Sequence, residues 1–251
     1  STLIEDKQVV VKQDEGQPDW KPGNFYGNFK GFMTVSEAIQ RSCNMIPVQL
    51  VQMLTPRACW NFLHDTLNVQ SLVESDIAYS PMSLGSLTNG ITPLDMAGAY
   101  QMYANGGMRT QPYCYTRVLD SRGNVVLENR RAPQRVLDYD TATVMNKLLQ
   151  RVTNAAPGTG TPANLGALNI PVAGKTGTTD DDVDQWFVGV TPYYVGVCWV
   201  GYDDQFRRDD EGNLLYDGYG RKIPNPVRYS QSPPPLLGKE GRMTGHEGLE
   251  P

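Results

Sequence analysis

The stretch over residues 172–201 constrains this chain more than any other. It opens with Gly174-Lys175-Thr176-Gly177-Thr178-Thr179 and continues as two more β-branched and aromatic runs separated by turn-forming residues. A Gly-Lys-Thr triplet invites a phosphate-loop reading, but such a loop needs a glycine five residues before Gly174, where Asn169 stands. Ile170-Pro171-Val172 builds a strand rather than a glycine-rich cradle, so the spacing argues against nucleotide binding. The pattern instead predicts three adjacent antiparallel strands, over 172–178, 185–190 and 194–201. On the first of them side chains alternate, so Lys175 and Gly177 share one face while Thr176 and Thr178 share the other. An edge built this way can pair with an extended peptide through main-chain hydrogen bonds. Gly177 leaves room for the ligand backbone, and Lys175 supplies charge for a carboxylate.

Helical periodicity governs the middle of the chain. Thr34 followed by Glu37 is a capping box, and Val35, Ala38, Ile39 and Ser42 recur at helical spacing, which predicts a helix from Thr34 with Ser42 on its buried face. Ser42-Cys43-Asn44 then forms an interhelical loop, because Asn44 is a good N-cap and Pro47 fits only the first turn of a helix bearing Val48, Val51 and Leu54. Further helices are predicted over 93–103, stopped by Asn105-Gly106-Gly107, and over 141–152. Between them, 113–119 and 125–127 flank Asp120-Ser121-Arg122-Gly123-Asn124 as a hairpin does. Residues 1–30 read as an extended, loop-like opening segment rich in Pro and Gly. The fold class is therefore mixed, α+β.

Composition removes several functions. A net charge of −5 without clustered Lys and Arg argues against nucleic-acid binding. Cys43, Cys59, Cys114 and Cys198 are far apart with no C-x-x-C pair, which argues against zinc and predicts mostly buried thiols. Asp180-Asp181-Asp182-Val183-Asp184 has acidic residues at alternate positions but Gln185 where a calcium loop needs glycine. No metal or other cofactor is expected. His64 and His246 read as structural rather than as half of a hydrolytic pair. No run reaches the roughly 18 apolar residues of a membrane span, so any signal or anchor is expected upstream of Ser1. Residues 207–251 are charged and rich in Gly and Pro, predicting a weakly ordered tail after a domain over 1–206.

Alone, Ser42-Cys43-Asn44 reads as a pair of caps. Followed by Lys175-Thr176-Gly177, it supplies two of the three motifs of serine acyl transferases of the penicillin-binding class. The likeness extends to Trp20-Lys21-Pro22-Gly23-Asn24, Leu84-Gly85-Ser86-Leu87, Thr92-Pro93-Leu94-Asp95-Met96-Ala97, Tyr103-Ala104-Asn105-Gly106-Gly107, Gly158-Thr159-Gly160 and Asp184-Gln185-Trp186-Phe187-Val188-Gly189. With its double threonine, Thr178-Thr179, the chain resembles the transpeptidase domain of class A, bifunctional penicillin-binding proteins.

That resemblance implies an antiparallel sheet flanked by helices, as in serine β-lactamases, incomplete at the N-terminus. It also implies a D,D-transpeptidase acting outside the cytoplasmic membrane on peptidoglycan stem peptides ending in D-Ala-D-Ala, with β-lactams as inhibitors. Ser42 is then a proton-relay hydroxyl, Asn44 a donor to the substrate amide, and Lys175 the charge that keeps the relay poised. Thr176, Gly177 and Thr178 bind the substrate, and the Thr178 N–H is half of an oxyanion hole. The family's nucleophile lies in a Ser-x-x-Lys motif before the Trp-x-Pro-x-Asn segment. Here the residues three before each lysine are Ile4, Val9, Pro18, Gly27, Val144, Val172, Tyr219 and Leu236, none of them serine or threonine. The nucleophile, membrane anchor and glycosyltransferase domain are all expected upstream of Ser1, and the chain alone is expected to be inactive. The rival expectation is a non-catalytic binding or scaffolding module of the same fold in cell-wall assembly.

Overall fold

The computed structural model describes residues 2–12, 18–154, 156–179, 182–202 and 206–224. Strand β1 (Leu3–Asp6) pairs antiparallel with β2 (Gly31–Thr34), in register from Leu3↔Thr34 to Asp6↔Gly31. The opening segment is thus not the loop its composition predicts. Part of it is a strand whose partner lies some 25 residues on, and such non-local pairing leaves no local signal. A second bridge, Val11↔Trp20, ties the next stretch down, so that Val9 and Val11 enter the core.

Helix α1 (Val35–Arg41) begins where the sequence predicts, with the Thr34 hydroxyl accepting from the Glu37 N–H. Helix α2 (Met45–Leu54) follows after three residues. Its buried residues Met45, Ile46 and Val48 pack with Val9, Val11, Met33, Ala38 and Cys43 into the first core cluster. Gln49 adds a tie by donating to the Glu5 carbonyl at 2.9 Å. The segment α3 (Pro56–Asn61) runs on into a π-helical turn over Phe62–Thr66, and α4 (Tyr79–Leu84) precedes the long α5 (Pro93–Ala104). Thr92 caps α5 by accepting from the Asp95 N–H at 3.0 Å, with Pro93 in the first turn, where a missing N–H costs nothing. Its end is fixed by Gly107, at φ 85°, where an added Cβ would lie 2.0 Å from the Leu137 carbonyl oxygen.

After α5 come two short pairings: β3 (Met108–Arg109) with β6 (Gln134–Arg135), and the hairpin β4 (Arg117–Leu119) with β5 (Val125–Glu128). Helix α6 (Tyr139–Asn154) leads to the three-stranded antiparallel sheet of β7 (Ala173–Thr178), β8 (Asp184–Val190) and β9 (Val195–Gly201), in the order β7-β8-β9. Leu149 of α6 meets Ala173 and Val190 in a third cluster with Ile39, Tyr100 and Tyr103, which presses α6 and α1 onto the sheet. Buried Thr153 adds a bond from its hydroxyl to the Val172 carbonyl.

Two expectations need correcting or placing. Cys43 is buried and Cys59 half-buried, but Cys114 and Cys198 are exposed, so mostly buried thiols are not what the fold gives. Cys198 lies on β9, the outer strand of its sheet, and Cys114 lies just before the exposed hairpin. In the expected tail, 207–224 holds the bridges Arg208↔Leu214 and Tyr216↔Lys222, and Pro224 pairs back with Phe206 of the preceding domain. Residues 225–251 with His246, and Asp180 and Asp181 of the acidic run, lie outside the described residues.

Candidate active site

Ser42 ends α1 in the left-handed region, at φ 55° and ψ 45°. The Cys43 N–H reaches the Ala38 carbonyl at 2.9 Å and the Ser42 N–H reaches Ile39 at 3.2 Å. This is the Schellman closure, whose left-handed position normally goes to glycine. A serine there is strained by about 1 kcal/mol. The strain signals that the hydroxyl is wanted, and the hydroxyl has a partner. Lys175 Nζ, from β7, donates to Ser42 Oγ at 2.7 Å, across 133 residues of sequence, and to the Thr176 carbonyl at 2.9 Å.

No carboxylate ion-pairs with Lys175 among the described residues. Burial without a counter-ion disfavours its charged form and lowers its pKa to about 8. At neutral pH the ammonium is still the main species, so Lys175 donates a hydrogen bond to the Ser42 oxygen and places positive charge beside it. Next along β7, the Thr176 and Thr159 hydroxyls share a 2.6 Å hydrogen bond, which brings Gly158-Thr159-Gly160 to the strand. Thr178, at the end of β7, is exposed.

Glycine is required in β7 at Gly174 more strictly than at Gly177. A Cβ at Gly174 would come within 2.8 Å of the Phe187 ring and 2.9 Å of the Val188 carbonyl, whereas one at Gly177 would meet only Trp186 Cβ, at 3.3 Å. We expect Gly174→Ala to destabilise the chain by about 2–3 kcal/mol through overpacking, and Gly177→Ala by far less; urea midpoints would show it, and equal effects would contradict the geometry. Beyond the strand, Asp184 closes the β7–β8 turn. It accepts from the Thr179 hydroxyl at 2.8 Å and from the indole N–H groups of Trp199 at 3.2 Å and Trp186 at 3.4 Å.

Asn44 is not the side-chain cap its position suggests: it precedes α2 without a capping hydrogen bond. Its amide instead donates from Nδ2 to the Gly23 carbonyl at 2.8 Å, and its backbone N–H goes to Asn24 Oδ1 at 2.9 Å. Asn24 Nδ2 in turn donates at 2.8 Å to Asp6, whose carboxylate also accepts from the Tyr26 hydroxyl (3.0 Å) and the Lys30 N–H (2.9 Å). Asp6 is 1% exposed. A buried carboxylate thus fixes Asn24, and Asn24 fixes the loop that carries Ser42 and Asn44. Sequence reasoning missed Asp6, Asn24 and Thr159 as working parts. The one signal was Asp6 itself, a charge on a strand that turns out to be buried.

The fold brings Lys175 into direct contact with Ser42, sets the Thr176 hydroxyl against Thr159 and holds Asn44 on the same loop as Ser42. His64 stacks on Trp60 at 4.3 Å and bonds Asp65, far in sequence from that cluster. Among the described residues no group of three or more His, Cys, Asp or Glu comes together to hold a metal ion. None of their helices is long and apolar enough to cross a membrane.

The chain is similar to known proteins over most of its length. The family model for the penicillin binding protein transpeptidase domain matches residues 2–203. Penicillin-binding protein 1A of Clostridium botulinum (strain Langeland) is 36% identical over 199 residues, covering 79% of this chain and 23% of the relative. Penicillin-binding protein 1A of Neisseria meningitidis serogroup B (strain MC58) is 31% identical over 258 residues, covering 99% and 30%. The chain therefore spans less than a third of the length of these relatives. Among solved structures, penicillin-binding protein 1A from Haemophilus influenzae superposes with a TM-score of 0.68 at 21% identity, over 81% of this chain and 35% of that one. At that identity it speaks for the fold.

Proposed function

This chain belongs to the penicillin-binding protein transpeptidase family, on its class A branch, and from that premise we propose that it is the downstream part of a serine D,D-transpeptidase. The enzyme would join peptidoglycan stem peptides ending in D-Ala-D-Ala at the outer face of a bacterial cell membrane, and β-lactams would acylate it. The observation that carries this reading is the 2.7 Å bond from Lys175 Nζ to Ser42 Oγ, which makes one site of two motifs that are far apart in sequence.

Acyl transfer here needs a serine oxygen to attack the penultimate D-Ala carbonyl and expel the last D-Ala, followed by attack of a second peptide's amine on the acyl-enzyme. Ser42 fits the role of proton relay, because its oxygen is held by a cationic donor and its own proton is left to point elsewhere. Asn44, anchored through Gly23 and Asn24, fits the role of a rigid side chain beside the substrate amide. Thr176 and Thr178 lie on the edge strand β7, where an extended stem peptide can pair and present its carboxylate to their hydroxyls. The Thr178 N–H fits half of an oxyanion hole.

No Ser-x-x-Lys motif occurs in these 251 residues, so the attacking oxygen has to come from elsewhere. The polypeptide as it stands should take up no fluorescent penicillin in a gel assay. Expressed together with the coding sequence upstream of Ser1, it should become labelled if that sequence supplies Ser-x-x-Lys. A labelled short chain, or an unlabelled long one that carries the motif, would overturn the proposal.

A further inference from the structure

The hairpin of β4 and β5 is built unlike the rest of the chain. Among the described residues its two strands pair only with each other, and all their own residues are exposed. A two-stranded hairpin is marginal in water unless one face is covered. Here apolar side chains stand uncovered, from Val118 at 39% to Val126 at 59% exposed, with Leu119, Val125 and Leu127 between. The tip is polar: Asp120 accepts from the backbone N–H groups of Arg122 and Asn124 and from the Asn124 amide. A tip of that kind is poorly suited to enter a lipid layer, so the apolar strands call for a protein partner.

Charge says which kind. At the base of the hairpin a cavity of about 350 Å³ is lined by Tyr113, Arg117, Glu128, Arg130 and Arg131, among others. Glu128 is taken by Arg130 at 2.8 Å. Among the described residues Arg131 bonds the neutral Asn129 side chain and neither it nor Arg117 has an ion pair. Glu128 stands opposite Arg117 across the hairpin but is held by Arg130, so among the described residues two guanidiniums stand beside open strand edges without an ion pair. We propose that this hairpin docks an acidic, extended segment of a partner protein, which adds a strand to one of its edges, covers the valines and leucines and sets its carboxylates against Arg117 and Arg131.

The test uses the whole chain and a fluorescein-labelled peptide of alternating valine and glutamate, followed by anisotropy at low ionic strength. Saturable binding is expected, weakened at least about tenfold by Arg117→Glu combined with Arg131→Glu and lost when alternate peptide nitrogens are methylated. Both arginines lie on an exposed surface element, and unchanged circular dichroism would show that the variant folds. The proposal is wrong if the peptide does not bind, if the two substitutions leave binding intact, or if the methylated peptide binds as well, which would mean charge alone. It is equally wrong if anionic vesicles, or a second copy of the chain seen by sedimentation, occupy the hairpin while the peptide does not.

Discussion

Replacing Lys175 by methionine should change how the stability of this chain depends on pH, and should do so between about 8 and 10.5, the folded and ordinary values for this lysine. The folded value is the lower one, so within that window the folded protein binds fewer protons than the unfolded chain and stability rises with pH. Below the window Lys175 is charged in both states and the burial penalty is fully present; above it the lysine is neutral in both and the penalty is gone. The stability of the natural chain relative to Lys175→Met should therefore rise by about 3 kcal/mol across the window. Cys43 and Cys59, which burial pushes up, act in the opposite direction, but both proteins contain them and they cancel. Urea unfolding of the two proteins at a series of pH values measures the difference, and parallel curves would refute a half-buried ammonium without a carboxylate partner among the described residues. The catalytic consequence is larger. On the proposed function, in a longer protein that carries a Ser-x-x-Lys segment and is labelled by penicillin, the same substitution removes the donor to Ser42 and should slow acylation on the order of 10²–10⁴-fold.

Asp6→Ala should be among the most damaging single changes outside β7. Its carboxylate, itself 1% exposed, accepts three hydrogen bonds, from Asn24, Tyr26 and the Lys30 N–H, and alanine would remove the one acceptor that these three donors share. At about 1 kcal/mol or more for each, the expected loss is about 3–4 kcal/mol. Asp6→Asn keeps the shape and one acceptor oxygen, so it should lose about half as much. The effect should also travel. Asn24 holds the Asn44 N–H, so hydrogen exchange at Asn44 should accelerate in Asp6→Ala by more than global unfolding explains. Uniform acceleration over the whole chain would mean that Asp6 is merely structural and does not position the Ser42-Asn44 loop.

Much of the fold is legible along the chain because its signals are local. Thr34 and Glu37 mark the start of α1, Asn105-Gly106-Gly107 marks the end of α5, and alternation with turn residues marks β7, β8 and β9 nearly to the residue. The strand β1 escaped, since four residues of mixed polarity become a strand only when β2 supplies the hydrogen bonds. Asn44 was misread as a cap for a related reason: local competition favours capping, and the Gly23 carbonyl that wins its amide lies 21 residues upstream.

By itself the sequence determined the family, the identities of Ser42, Asn44, Lys175 and Thr176, and the alternation that places Lys175 and Thr176 on opposite faces of β7. These follow from residue type and short-range period. Only the tertiary structure decided that Lys175 donates a hydrogen bond to Ser42, that burial without a carboxylate partner among the described residues brings its pKa to about 8, and that Asp6 and Asn24 brace the loop. Each of those depends on which groups lose water together when α1, α6 and β7 close on one another, and no spacing along the chain encodes that.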